Sequence, residues 1–281
     1  MPSLVALAPI HFPPDGMVMN SFWQPFMTYV NVIPIVVAAW LALRRWMPGE
    51  RALVASAMVG GAVASLLEPL VDHLGLVFFA PEGQWTMLRL YGRATPWFIL
   101  PCFVWYLGGQ ALLTLWLMRK GMTMKRLFTL YGVYVLTNVA MEIPAIAAGV
   151  YAYYGPQPFE IAGLPIWFQS LNAASPIVAA AVIHKLGRKR GWHPALAIAV
   201  IPGAHVLANA VPGWPMWAAL NSTSSLAVTH AVALVTVAMA ALLVYVVGLA
   251  VTDEAPAAAA ATSSGNGRAR DERRTTTAGV A

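Results

Sequence analysis

The feature that most constrains this chain is a series of seven apolar stretches, each long enough to cross a lipid bilayer. A bilayer core of about 30 Å needs roughly 20 apolar residues in a helix. The chain is 59% hydrophobic and only 10% charged, whereas soluble domains carry about 25% charged residues. The stretches run near Phe22 to Leu43, Ala52 to Phe79, Trp97 to Leu117, Leu127 to Tyr151, Leu164 to His184, His193 to Val211 and Ser225 to Val251.

The basic residues are distributed unevenly along these stretches. Every second loop, beginning with the one after the first helix, is rich in arginine and lysine, and so is the C-terminal end. Of the 17 Lys and Arg residues, 15 lie in these segments, and only Arg89 and Arg93 lie in the alternate loops. Loops rich in basic residues stay in the cytoplasm. The sequence therefore predicts an external N-terminus and a cytoplasmic C-terminus.

These patterns predict the organisation of the whole chain. We expect an all-α integral membrane protein of the plasma membrane, with a seven-helix domain over residues 22 to 251. Residues 1 to 21 are predicted to be an external segment. Residues 252 to 281 are rich in Ala, Ser, Thr, Gly and charge, which is typical of a disordered segment, and they are predicted to form a cytoplasmic tail.

Three of the predicted helices carry a pair of polar residues spaced four apart. That spacing places both side chains of a pair on one helical face. Intramembrane ionisable groups are costly, and they are functional sites by default. The pairs are Glu68 with Asp72 in helix 2, Asn138 with Glu142 in helix 4, and His205 with Asn209 in helix 6.

The three pairs are predicted to lie in one layer of the membrane. Glu68, Glu142 and His205 each follow a basic loop by a similar number of residues, so each sits roughly 22 to 26 Å outward at about 1.5 Å per residue. We expect them to line one cavity that opens toward the outer leaflet and suits a greasy molecule with few polar groups. Further polar and aromatic candidates near this layer are Asn31, Gln169, Asn172 and His230, with Tyr29, Trp105 and Tyr106; Gln110 lies deeper.

The neutral side chains have an alternative, structural role. An amide or a histidine in a membrane helix often hydrogen-bonds to a neighbouring helix. For five amides the sequence therefore leaves two roles open, helix packing and ligand binding: Asn31, Gln110, Asn138, Gln169 and Asn172. Glu68, Asp72 and Glu142 are the stronger functional candidates, because an ionisable group is more costly in lipid.

Two external loops are predicted to cover the cavity. Residues 80 to 96 place Arg89 and Arg93 over its mouth. Those arginines either pair with Glu82 or Glu160 at the surface, or reach the acids of the cavity. Residues 151 to 165 are rich in aromatic residues, glycine and proline, which indicates a turn-rich cover.

Several short motifs resemble one family. They are Leu67 to Asp72, Tyr91-Gly92-Arg93, Trp105 to Gln110, Met141-Glu142-Ile143-Pro144, Tyr153 to Pro158, and Trp167 to Pro176. Together, over roughly residues 50 to 185, they resemble the AveC-like spirocyclase family of actinobacteria. The resemblance implies a membrane protein of polyketide biosynthesis that forms spiroketals, sometimes with dehydration. A weaker similarity, in layout alone, is to the small membrane-bound terpene cyclases.

Both resemblances agree with the pattern of buried acids on one chemistry, which is acid–base ring closure of a lipophilic natural product. Two carboxyl groups in different environments suffice as acid and base. We expect Glu68 and Asp72 to share a proton and Glu142 to oppose them. His205 and Asn209 are expected to orient the substrate, and the remaining predicted binding residues are Arg93, Asn172, Gln169, Tyr106 and His230.

The same sequence leaves a non-enzymatic alternative open. A lipid-binding or proton-coupled transport protein would use the same acids as a proton relay. No metal-binding Cys/His spacing occurs, and the single cysteine, Cys102, excludes an internal disulfide. We therefore expect no cofactor, no metal and no nucleic-acid partner; the bilayer and a lipophilic small molecule are the expected partners.

Overall fold

The computed structural model describes residues 11 to 252, which are mostly helical. Within this range, seven helices are long and apolar enough to cross a membrane, as the sequence predicts. Residues 1 to 10, and the predicted tail beyond Thr252, lie outside the described residues. The helices are α1 (Trp23–Trp46), α2 (Arg51–Gly75), α3 (Ile99–Arg119), α4 (Met124–Ala147), α5 (Ile166–Leu186), α6 (Pro194–Leu220) and α7 (Leu226–Thr252).

Two helix ends differ from the prediction by about four residues or more. The second helix is expected to end before Phe79, and α2 does end earlier, at Gly75, because Leu76 adopts a left-handed conformation with φ of 55°. Helix α4 ends at Ala147 rather than Tyr151, and Gly149 turns the chain with φ of 70°. Helix α6 continues past the predicted Val211 to Leu220, although it contains three prolines. Membrane helices tolerate proline because neighbouring groups satisfy the freed carbonyls.

The prediction of an all-α protein misses six short strands. They form three antiparallel pairs, all in the two loops that follow α2 and α4. Those loops lie at the end of the bundle opposite the basic loops, since successive helices alternate in direction. The strands are β1 (Val77–Phe79), β2 (Thr86–Leu90), β3 (Arg93–Pro96), β4 (Tyr151–Tyr153), β5 (Glu160–Ile161) and β6 (Leu164–Pro165), paired as β1 with β4, β2 with β3, and β5 with β6.

The described part of the N-terminal segment packs on these loops. The backbone N–H of Met19 donates to the carbonyl of Glu82 at 2.8 Å, and the Met19 side chain is buried. The Gln24 side chain, at the start of α1, accepts from the N–H of Trp85 and donates to the carbonyl of Gly83. The segment before α1 is therefore part of the cover over this end of the bundle.

Helix α5 lies at the centre of the bundle and packs against α3, α4, α6 and α7. Its buried residues include many that are small, among them Ala173, Ala174, Ala179 and Ala180. Small residues let membrane helices approach closely. The large apolar side chains on the outer helical faces are exposed instead, for example Ile33, Val36 and Leu136.

Helices α2 and α3 cross with their backbones almost in contact. A Cβ atom at Gly61 would lie 2.5 Å from the carbonyl oxygen of Phe103, and one at Gly108 would lie 2.6 Å from that of Ala57. Only glycine fits at such distances. This crossing places the first half of α3, including Phe103, beside the acidic end of α2.

Candidate functional site

A cavity lies at the strand-bearing end of the bundle. It encloses about 790 Å³ of space free of atoms, a volume that includes the open space at its mouth. Six of the seven helices and strands β1 and β4 contribute to its wall, which is mostly apolar and aromatic. The lining residues are Met27, Glu68, Val71, Asp72, Val77, Phe79, Phe98, Ile99, Cys102, Phe103, Tyr106, Asn138, Met141, Glu142, Tyr151, Tyr153, Phe168, Asn172 and His205.

Glu142 is held by two tyrosines from the strand that follows its own helix. The hydroxyls of Tyr151 and Tyr153 each donate to Oε2 of Glu142, both at 2.9 Å. The turn at Gly149 folds β4 back beneath α4, and residues two apart on a strand share a face. Both tyrosines therefore reach the same oxygen, and Oε1 makes no hydrogen bond to them.

The tyrosines keep their protons. Burial, and then the charge of Glu142, raise the pKa of Tyr151 and of Tyr153 well above the usual value for tyrosine. Each hydroxyl is therefore a fixed hydrogen-bond donor over the ordinary pH range. Hydrogen bonds to a charged acceptor are about twice as strong as neutral ones, so the pair anchors the carboxyl group of Glu142.

Glu68 and Asp72 line the same cavity, four residues apart on α2. A short 3₁₀ turn over Ser65–Leu67 precedes Glu68, and Pro69 follows it directly in the first turn of the α-helical segment Glu68–Gly75. Asp72 is 3% exposed, and its Oδ2 has no hydrogen-bond partner among residues 11 to 252. Glu68 and Asp72 are close enough to interact electrostatically with each other and with Glu142.

Arg93, on β3, lies behind Asp72 and not on the cavity wall. Its guanidinium donates to the hydroxyl of Tyr154 and lies over the rings of Tyr154, at 5.3 Å, and Phe78, at 5.9 Å. It also interacts electrostatically with Asp72. Neither predicted surface partner, Glu82 or Glu160, forms an ion pair with it in the described part of the chain. The structure thus places Arg93 as a positive charge near the acids.

His205 lines the cavity, and two neighbours contact its inner side. Its Nδ1 lies 3.1 Å from Oγ of Ser175 and 3.2 Å from Nδ2 of Asn209. The edge of the Phe103 ring packs against the imidazole, with the ring centres 5.4 Å apart. Asn209 is 1% exposed and lies behind His205, so it contacts the histidine rather than the cavity.

The structure brings some of the predicted residues to the cavity and leaves others outside. On the wall are Glu68, Asp72, Glu142, His205, Tyr106 and Asn172, together with Asn138. Gln169 is fully buried close to Glu142 but does not form a hydrogen bond of standard geometry with it. His230 contacts the loop of residues 151 to 165 instead, where its Nε2 accepts a hydrogen bond from the N–H of Phe159 at 3.5 Å.

Two of the predicted cavity aromatics lie elsewhere. Tyr29 is 67% exposed on the outer face of α1. The indole of Trp105 donates to Oδ1 of Asn31 at 2.8 Å, which ties α3 to α1. Asn31 therefore has the structural role considered for the amides, a hydrogen bond to a neighbouring helix. Tyr106, in contrast, lies on a π-helical turn over Val104–Gly109 and reaches the wall; such turns are frequent at functional sites.

Sequence reasoning missed Tyr151, Tyr153, Cys102 and Ser175 as parts of the site. The sequence predicts that the fourth helix ends near Tyr151 and places both tyrosines in the cover formed by residues 151 to 165. The available signal was the spacing of two tyrosines by two residues directly after an acidic helix end. Among residues 11 to 252, no group of three or more His, Cys, Asp or Glu side chains is placed to hold a metal ion.

The chain was compared with protein-family models, curated proteins and solved structures, and none of them matches it.

Proposed function

We propose that this chain is a multi-pass plasma-membrane enzyme that catalyses ring closure of a lipophilic substrate by acid–base chemistry, as in spiroketal formation, dehydrative cyclisation or terpene-type cyclisation. One observation carries the proposal: three carboxyl groups from two helices line one cavity whose wall is mostly apolar and aromatic. Such acids are costly in lipid and mark functional sites. The resemblance to spirocyclases adds the reaction class.

Membrane insertion is supported by the outer surface of the bundle. The helices expose large apolar side chains such as Trp40, Leu136 and Leu234, which would be unfavourable in water over so wide an area. The basic residues in the loops after α1, α3 and α5 all lie at the end away from the cavity. By the positive-inside rule that end is cytoplasmic, so the cavity lies toward the outer leaflet.

The proposed reaction begins from a hemiketal or a related alcohol. A protonated carboxyl of the Glu68 and Asp72 pair donates its proton to the leaving hydroxyl, the C–O bond breaks, and water departs. The resulting oxocarbenium carbon is attacked by a second hydroxyl of the same molecule. The carboxylate of Glu142 takes the proton of that hydroxyl, and its return to the pair restores the site with the net loss of one water.

The geometry fits this division of roles. Two tyrosine donors hold Oε2 of Glu142, which orients the other oxygen as a base. Asp72 has an oxygen without a hydrogen-bond partner among the described residues, and it interacts electrostatically with Glu68 and Arg93. The aromatic rings of Phe79, Phe98 and Phe103 line the same space and can stabilise a cationic intermediate by cation–π attraction.

The test compares purified proteins in lipid nanodiscs with a synthetic long-chain dihydroxyketone and with a linear polyene. Wild-type protein is expected to give a cyclic product, which for the dihydroxyketone is lighter by one water. Glu68→Gln and Glu142→Gln should each lower the rate about 10²- to 10⁴-fold, the usual contribution of a general acid or base. Glu82→Gln, which removes an exposed external acid, is the matched control and should keep full activity.

Two other results would contradict the proposal. If the protein forms a cyclic product and both glutamine variants form it at the full rate, the acids are not catalytic. If no probe is cyclised and proton uptake by liposomes requires Glu68 and Glu142, the chain is a proton-coupled transporter and the enzyme proposal is wrong.

A further inference from the structure

We propose that His205 is a neutral hydrogen-bond donor whose Nε2–H holds a carbonyl oxygen of the bound molecule. This inference rests on the proposed function only in taking the cavity as the substrate site. It names a chemical group of the substrate, a ketone or a similar neutral acceptor oxygen, and it gives Ser175 and Asn209 the role of positioning residues.

The orientation of the Asn209 amide is fixed by a backbone group. Its Nδ2 lies 3.1 Å from the carbonyl oxygen of His205, one turn earlier in α6. A carbonyl only accepts hydrogen bonds, so the amide nitrogen, rather than its oxygen, faces this side. One amide hydrogen goes to that carbonyl, and the second remains for the neighbouring Nδ1 and Ser175 Oγ.

This orientation decides which ring nitrogen of His205 carries the proton. Nδ2 of Asn209 lies 3.2 Å from Nδ1 of the imidazole, and Ser175 Oγ lies 3.1 Å from it. A proton on Nδ1 would bring two N–H donors to 3.2 Å from each other. An unprotonated Nδ1 avoids that contact and can accept from Ser175 or Asn209, and a neutral imidazole then carries its hydrogen on Nε2.

The Nε2–H donor has no hydrogen-bond partner in the described part of the chain. Nε2 is buried and makes no hydrogen bond among residues 11 to 252, and the whole side chain is 2% exposed. Leaving a buried donor unsatisfied costs about 1 to 3 kcal/mol, and His205 is part of the cavity wall. A bound molecule with an acceptor oxygen would remove that cost.

Ser175 acts here through the histidine and not as a nucleophile. Its side chain is 1% exposed and does not line the cavity, and its hydroxyl lies between Asn209, His205 and the carbonyl of Leu171. Two other cavity residues, Tyr106 and Asn138, also have buried donors without partners in the described part of the chain. They are the competing candidates, and the test separates them from His205.

The tautomer is tested without any ligand or activity. Nitrogen NMR of protein labelled with ¹⁵N-histidine, in detergent at neutral pH, should show His205 with a protonated Nε2 and an unprotonated Nδ1. His205→Phe identifies the signal by its loss. The combined change Ser175→Ala and Asn209→Leu should convert it to a mixture of tautomers. A protonated Nδ1 in the wild-type protein would overturn the proposal.

The ligand is tested with a ¹³C-carbonyl dialkyl ketone and an alkane of the same length. In wild-type protein the carbonyl stretching band should shift to lower frequency on binding, and the ketone should bind about two- to tenfold tighter than the alkane, the effect of one neutral hydrogen bond. His205→Phe should lose both effects. If that variant does not fold, His205→Gln, which keeps a donor, and His205→Leu form the comparison, with loss expected only for Leu.

The controls separate this inference from the enzyme proposal. His193→Phe, which changes a histidine at the basic end of the bundle, should keep the shift. Glu142→Gln should also keep it, even though that variant is expected to be inactive. If the band shift survives in His205→Phe and disappears in Tyr106→Phe or Asn138→Leu, the carbonyl is held by another residue and the proposal is wrong, whatever the outcome for catalysis.

Discussion

The crossing of α2 and α3 gives a stability prediction whose size follows from the structure. An alanine at Gly108 places its Cβ 2.6 Å from the carbonyl oxygen of Ala57, whereas an ordinary contact begins near 3.4 Å. The two helices must therefore separate by about 0.8 Å, since the carbonyl oxygen of Ala57 belongs to the backbone and cannot rotate away. Overpacking of this kind typically costs about 1 to 3 kcal/mol.

A matched control removes the contribution of helix propensity. Alanine is a better helix former than glycine by roughly 1 kcal/mol, which would hide part of the cost at Gly108. Gly132 lies within α4, and a Cβ there meets nothing within 4 Å. Gly132→Ala gains the same propensity without the clash. The difference in stability between the two variants is therefore the packing cost alone.

The assay is the fraction of detergent-solubilised protein that stays monodisperse after heating, measured by size-exclusion chromatography. The expected difference in melting temperature is roughly 2 to 12 °C, with Gly108→Ala below Gly132→Ala. Because α3 carries Phe103 and Tyr106 into the cavity wall, turnover by Gly108→Ala should also fall. Equal melting temperatures for the two alanine variants would refute the argument that the helix backbones touch.

Four further predictions test the site and the topology. Changing Tyr151 and Tyr153 together to Phe should lower turnover at least about tenfold, because each change removes a hydrogen bond to the carboxyl group of Glu142. The control is Tyr131→Phe, which removes a hydroxyl that donates to the carbonyl of Ser170 and should leave turnover unchanged. Because the pKa values of Tyr151 and Tyr153 are raised, the tyrosinate absorbance that forms near pH ~10 should be the same in the wild-type protein and in the double Phe variant. A phosphatase fused after Ala281, active only when exported, should be inactive. Truncation of residues 257 to 281 should leave the melting temperature unchanged; loss of monodisperse protein would contradict this.

The number of helices was predictable because bilayer thickness sets the length of an apolar stretch. The position of Glu68, Asp72 and Glu142 on one cavity was predictable from spacing and depth. Each of the two helices carries its polar pair on one face, and the acids lie at a similar depth. The helix ends were not, because they depend on single left-handed residues such as Leu76. Apolar patterning alone cannot separate the last turn of a membrane helix from a short buried strand.

The partners of the site residues were also beyond sequence reasoning. Tyr151 was expected to end α4, but it turns back and binds Glu142 because Gly149 reverses the chain. No polar spacing singles out Ser175, and its contact with His205 depends on how α5 and α6 pack. These contacts join residues from different elements, so local spacing holds no information about them.

The pairing of β1 with β4 has a consequence for how such a protein diversifies. The two strands directly follow the helices that carry the acids, and their register joins Val77 to Tyr153 and Phe79 to Tyr151 through the main chain. Main-chain bonds depend little on which side chains are present. The β2–β3 hairpin is constrained, because β3 holds Arg93 near Asp72. The exposed turn of the β5–β6 hairpin, residues 161 to 163, does not line the cavity, so it can change in length and sequence while the acids and their tyrosine partners stay in place.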